Sequence, residues 1–186
     1  MISTIVRKEL KICKICPKKM NNKVKCHGCG ALVDVKAGKP HDYIGATQGC
    51  WDLYCLILEK QYGEYNYPQL SHRLTVDTYA IQHPGHTTSR AIQSVSVHLV
   101  SLFCIFERGL DPRTATQKME KILAKGTKFE WLEPPIQNGQ KTVIDVLATT
   151  NLAEHENKVL EWAKDVWNCW FLKHGQTVEN LYNDNL

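Results

Sequence analysis

At 186 residues with 43% apolar content, the chain suits one domain with room for a small appended module. No apolar run reaches the roughly 20 residues that a bilayer-spanning helix needs, since Val95 to Phe106 is broken by Ser96, His98 and Ser101, and Met1 to Val6 is too short for a signal sequence. The expectation is a cytoplasmic protein with no membrane partner, whose eight cysteines serve as metal ligands and buried thiols rather than disulfides.

The net charge of +4 is unevenly spread. Residues 1–25 carry eight Lys/Arg against Glu9 alone, and the remaining residues carry 15 basic and 18 acidic side chains. A basic, cysteine-bearing head on a slightly acidic body can touch nucleic acid or a protein partner through residues 7–25. The plainer reading of the same residues is a solubilising arm.

Along the chain, the cysteine-rich head is followed by residues 31–49, which read as loop because Gly38, Pro40, Gly45 and Gly49 break any period. A first helix is predicted from Cys50 to Tyr62, ending at Gly63. A second runs from Ser71 to Gln82 and must stop at His83, because Pro84 disfavours helical geometry in the residue before it. The third has Thr88 or Ser89 as cap, an apolar stripe of Ala91, Val95, His98, Leu102 and Ile105, and Gly109 as its end. Asp111-Pro112 restarts a helix, Asp as cap and Pro at the first position, to about Lys125. Residues 127–148 lack a helical period and suggest an extended arm or short hairpin. The last helix opens with Asn151 as cap and Glu154 three residues on, and its stripe of His155, Val159, Trp162, Val166 and Trp170 leads to His174 and Gly175.

These elements define a mainly α fold, a helical bundle with a zinc-stapled, cysteine-rich N-terminal segment. Residues 1–49 form the basic head and loop and residues 50–186 the bundle, the two as one cooperative domain.

Two ligand sets compete for a metal. Cys13-x2-Cys16 and Cys26-x2-Cys29 together read as a compact zinc ribbon. Alternatively Cys26 and Cys29 join Cys50 and one histidine. Cys50 then sits at a helix start, where the helix N-terminus favours the thiolate that a metal needs. In both sets the two-residue spacing lets a tight turn aim two soft sulfurs at one ion, which suits tetrahedral zinc.

Residues 26–174 resemble an uncharacterised bacterial family defined by a domain of unknown function. The resemblance rests on Cys26-His27-Gly28-Cys29-Gly30-Ala31, Gly49-Cys50-Trp51, His72-Arg73-Leu74-Thr75-Val76-Asp77-Thr78-Tyr79 and Gln82-His83-Pro84-Gly85. It continues through Gln93-Ser94-Val95-Ser96-Val97-His98-Leu99, Glu107-Arg108-Gly109, Glu154-His155 and Trp162 to His174. The resemblance implies a fold and a site but no activity. It favours Cys26, Cys29, Cys50 and a histidine of the second helix, His72, with His83, Cys13 and Cys16 as alternates. On a continuous helix His72 and His83 lie about 16 Å apart, so one ion does not take both. Cys55, Cys104 and Cys169 fall in helical patterns and read as core.

A second constellation is suggested by His98 and His155 on apolar stripes, with Asp77 and His83 on the second helix and its terminal turn. Converging, they would form a metal-dependent hydrolase or transferase site, or an Asp–His general base. The plainer reading is that each is a satisfied core residue. Trp162, Trp167 and Trp170 read as core packing. The sequence offers no phosphate-cradling glycine loop, no nucleophile-elbow serine and no HExxH helix. The leading expectation is therefore a binding or scaffold module whose zinc is structural.

Overall fold

The structure, a computed structural model, describes residues 22–184. Cys13, Cys16 and most of the basic head lie outside the described residues.

A short antiparallel hairpin opens the fold. β1 (Lys23–Lys25) pairs with β2 (Leu32–Asp34) in the register Lys23 to Asp34, Val24 to Val33 and Lys25 to Leu32. Val33 is buried and Val24 half-buried, so one face of this ribbon is apolar and the turn between the strands carries Cys26 and Cys29.

Six helices follow among the described residues: α1 (Gln48–Tyr62), α2 (Gln69–Gln82), α3 (Ser89–Phe106), α4 (Pro112–Ala124), α5 (Val143–Leu147) and α6 (Leu152–Asn183). The fold is mainly helical, as expected. The caps are where the sequence puts them. Thr88 accepts from the Ala91 amide, Asp111 from those of Arg113 and Thr114, and Asn151 from that of Glu154.

α2 packs on both α3 and α6, and α3 also on α4 and α6, so those helices share one core. Trp162, Trp167 and Trp170 fill it from α6, and each finds a partner for its indole N–H: Gln82 Oε1, Glu107 Oε1 and Asn138 Oδ1. α3 is long and apolar enough to cross a bilayer by length and composition. In this fold it is an inner helix with more than half of its residues buried.

Four expectations are corrected. Residues 31–49 are not all loop, since β2 lies within them. Residues 127–148 contain the five-residue α5, opened by a Thr142–Asp145 capping box. α6 does not stop at Gly175, because Val178 is buried, Tyr182 packs on Phe103 and Glu179 pairs with Arg108. Those contacts outweigh the cost of about 1 kcal/mol for glycine in a helix. Cys55 is exposed on α1, whereas Cys104 is buried and Cys169 half-buried.

Candidate metal centre

Three separate elements deliver four donor atoms to one point. Cys26 and Cys29 come from the β1–β2 turn, Cys50 from the first turn of α1, and His83 from the C-cap of α2. Their Sγ and Nε2 atoms all lie within 4.8 Å of one another, close enough to hold a metal ion. Cys29 Sγ is 3.8 Å from Cys50 Sγ, and Cys50 Sγ is 3.4 Å from His83 Nε2.

Local chain chemistry explains the convergence. In the hairpin turn the Gly30 amide donates to the Cys26 carbonyl and the Cys26 amide to the Ala31 carbonyl, with Gly30 at φ +72. Gly49 lets the start of α1 lie against β2, where a Cβ would collide with the Asp34 carbonyl oxygen. Pro84 stops α2, and His83 leaves the helix with φ −126 and ψ 57. Its carbonyl accepts from the Gly45 amide, and Ile44 bridges to Pro84, so the loop before α1 clamps the ligand's backbone.

The histidine is oriented by its other nitrogen. Nδ1 donates to the Tyr79 carbonyl at 2.8 Å, which leaves the lone pair of Nε2 facing the sulfurs. The Tyr79 ring lies 4.0 Å from His83 and stacks on Tyr54 at 3.9 Å, and its hydroxyl donates to Cys50 Sγ at 3.8 Å. Burial, and then the adjacent Cys50, raise the Tyr79 pKa, so the phenol remains a donor.

The three thiols cannot all ionise unaided. Hydrogen bonds from Cys29 and then Cys50 hold the Cys26 thiol far below its ordinary range. As the donor to Cys26, Cys29 is pushed up, and Cys50 is raised by donation to both other sulfurs and then by burial. Three sulfurs this close together therefore oppose one another's ionisation. A cation of charge two at the centre removes that opposition, which is the electrostatic complement of this pocket.

The structure separates the sequence candidates. His83, not the expected His72, joins the cysteines. His72 lies a helix length away, its Nδ1 3.0 Å from Gln61 Oε1 and its Nε2 3.3 Å from the Tyr62 hydroxyl. Asp77, His83, His98 and His155 do not gather into one cluster. His98 Nδ1 meets Asp77 Oδ1 at 2.7 Å, but Arg73 holds both oxygens of Asp77 and Ser101 donates to one of them. His155 is buried near Tyr65, with Nε2 2.9 Å from Gln61. Thus His98 and Asp77 pair, around a carboxylate already neutralised by a guanidinium. Two further residues complete the site, present in the quoted motifs but not read there as parts of it: Tyr79 and the small Gly28, where a Cβ would lie 2.5 Å from His83 Cδ2. Their signal lay in the Cys26-His27-Gly28-Cys29 and Asp77-Thr78-Tyr79 motifs.

Cys29 also borders a surface groove of about 890 Å³. Its walls are the hairpin turn, residues 42–46 of the loop before α1, residues 84–86 and residues 134–140. The last of these is tied down by Gln82 Nε2, which donates to the Asn138 and Lys141 carbonyls, and by Asn138, which donates to the Ile81 carbonyl.

The model of a family of unknown function (DUF5946) matches residues 24–171. No curated protein and no solved structure matches the chain.

Proposed function

The chain belongs to that family of unknown function, and from the geometry we propose that it is a binding or scaffold module in which a structural zinc ion fastens the N-terminal hairpin to the helical bundle. The donor set carries this reading. Three sulfurs and one imidazole suit zinc, and four protein ligands leave no open position for a substrate. A tetrahedral ion with bonds of about 2.3 Å to sulfur and 2.0–2.1 Å to nitrogen has edges of about 3.8 Å between sulfurs and about 3.6 Å from sulfur to nitrogen. The distances of 3.8 and 3.4 Å match those edges.

In this reading the head and the bundle are one cooperative unit, because the ligands are contributed by both. Removing zinc would untie β1–β2 from α1 and from the end of α2 in a single step, lowering stability sharply. The groove beside Cys29 is the surface that the staple keeps in shape.

Elemental analysis of the purified protein with X-ray absorption at the metal edge tests the proposal. One zinc per chain in a shell of three sulfurs and one nitrogen supports it. A shell of nitrogen and oxygen with bound water would overturn it.

A further inference from the structure

The four ligands are not equally sheltered. Cys50 and His83 are fully buried, and of the two cysteines that line the groove Cys26 is 3% exposed while Cys29 is half-buried. That groove is a built feature. Beyond the Gln82 and Asn138 bonds, Trp170 Nε1 donates to Asn138 Oδ1, and the Gln140 and Lys141 amides donate to Asp165 Oδ2. A small solute therefore meets Cys29 first, and behind it, at 3.8 Å, stands the Cys50 sulfur.

We propose that Cys29 is a site of reversible oxidation by hydroperoxides, with Cys50 as the resolving thiol, and that formation of their disulfide discharges the metal. The proposal rests on the zinc reading above. In the first step the Cys29 thiolate attacks one peroxide oxygen and the O–O bond breaks. The sulfur loses two electrons to become a sulfenic acid, and the other oxygen leaves as water or alcohol with a proton from solvent. In the second step the Cys50 thiolate attacks the Cys29 sulfur, the S–S bond forms, and hydroxide leaves as water with a second proton. Two thiolates, one hydroperoxide and two protons become one disulfide and two molecules of water, or of water and alcohol. Zinc keeps its charge and departs, because a disulfide sulfur is a poor ligand for it.

The consequence follows from which residues are joined. A Cys29–Cys50 bond keeps the hairpin turn on α1 while releasing Cys26 and His83. His83 adjoins Gln82, which holds the groove wall, so oxidation loosens the groove without detaching the head.

The test uses the whole chain with its metal content measured beforehand. A preparation without metal defeats the zinc reading itself, so the two failures are distinguishable. Metal-loaded protein is treated with hydrogen peroxide, zinc release is followed with a chromophoric indicator, and disulfides are mapped by mass spectrometry. The expected result is one metal ion released per Cys29–Cys50 disulfide, reversed by a dithiol and added zinc. Exposed Cys55 serves as the internal reference. Complete oxidation of Cys55 while the metal stays bound overturns the proposal, as does a Cys26–Cys29 disulfide in place of Cys29–Cys50. In Cys50→Ser, oxidation should stop at a Cys29 sulfenic acid that dimedone traps; if that variant fails to fold, mapping of the unmodified chain still decides.

Discussion

Tyr79 grips His83 twice: its carbonyl accepts from Nδ1 at 2.8 Å, and its ring lies 4.0 Å from the imidazole. The same tyrosine donates to Cys50 Sγ. One residue, a helical turn before the ligand, therefore sets the tautomer of one donor and supports the charge of another. Partners of this kind typically contribute 10–100-fold in metal affinity. Tyr79→Phe keeps the ring and the carbonyl and removes only the hydroxyl. It is expected to weaken zinc binding about tenfold in competition with a chromophoric chelator, with helical content unchanged.

The two histidines of α2 give the sharpest contrast. His83→Ala removes a ligand and should reduce affinity by more than the roughly 100-fold upper range for supporting residues. His72→Ala removes a bond to Gln61 and should leave metal content at the unmodified level. Elemental analysis of the two purified variants reads this directly, and equal zinc in both would refute the assigned cluster.

Glycine replacement separates close approach from backbone conformation. At Gly49 a Cβ would meet the Asp34 carbonyl oxygen, which is backbone and cannot move aside cheaply. Gly30 has φ +72 and open space around its Cβ position. Gly30→Ala should therefore cost only about 1–2 kcal/mol, the penalty of a left-handed residue. Gly49→Ala should cost more and lower zinc affinity as well, because it displaces Cys50 from the hairpin. Urea unfolding of the two variants, with zinc content measured alongside, gives the comparison.

How much of this was legible beforehand depends on what each feature is made of. Helix caps are local chemistry, so Thr88, Asp111 and Asn151 stand out in a sequence. Cys26, Cys29 and Cys50 were readable because thiol spacing is itself a geometric constraint. The choice between His72 and His83 was not, since both lie in or beside α2 and only the bend at Pro84 turns one toward the sulfurs. β1 and β2 have three residues each, too few for alternation to show. The last turns of α6 depend on Phe103 and Arg108, which are distant in sequence.

Asp77 tests the second constellation. Burial pushes its carboxyl up, but the His98 hydrogen bond and the Arg73 charge together outweigh that, and its pKa is lowered. The Arg73–Asp77 pair joins α2 to α3 through Ser101, which donates to Asp77, and to α4 through Thr116 and Met119, to which Arg73 donates. Asp77→Ala leaves Arg73 with no carboxylate and should cost about 3–5 kcal/mol, the usual loss on breaking a buried ion pair. Zinc content should not change. If a metal were lost together with Asp77, the hydrolase reading would regain support.

His155 makes stability depend on pH in a defined direction. It is 1% exposed, and burial followed by the Lys60 charge lowers its pKa from 6.5 to about 4. The hydrogen-bond chain agrees with a neutral ring. The Tyr62 hydroxyl faces His72, His72 faces the Gln61 carbonyl oxygen, and the Gln61 amide donates to Thr75 and to His155 Nε2. A proton on Nε2 would point at that amide donor. The unfolded chain, by contrast, takes up the proton near pH 6.5. Stability is therefore full above pH 6.5, falls as the pH drops toward 4, and levels off below it, a loss of about 3 kcal/mol from this group. Acid release of the metal adds its own sensitivity, so the readout is a difference between two proteins that share the same ligands. His155→Gln has no titrating group at this position. Denaturant unfolding at intervals between pH 7 and 4 should show the unmodified chain losing about 3 kcal/mol more than the variant. Parallel profiles would mean that His155 takes up its proton as readily in the folded protein as in the unfolded chain, with the Gln61 amide turning to present its oxygen.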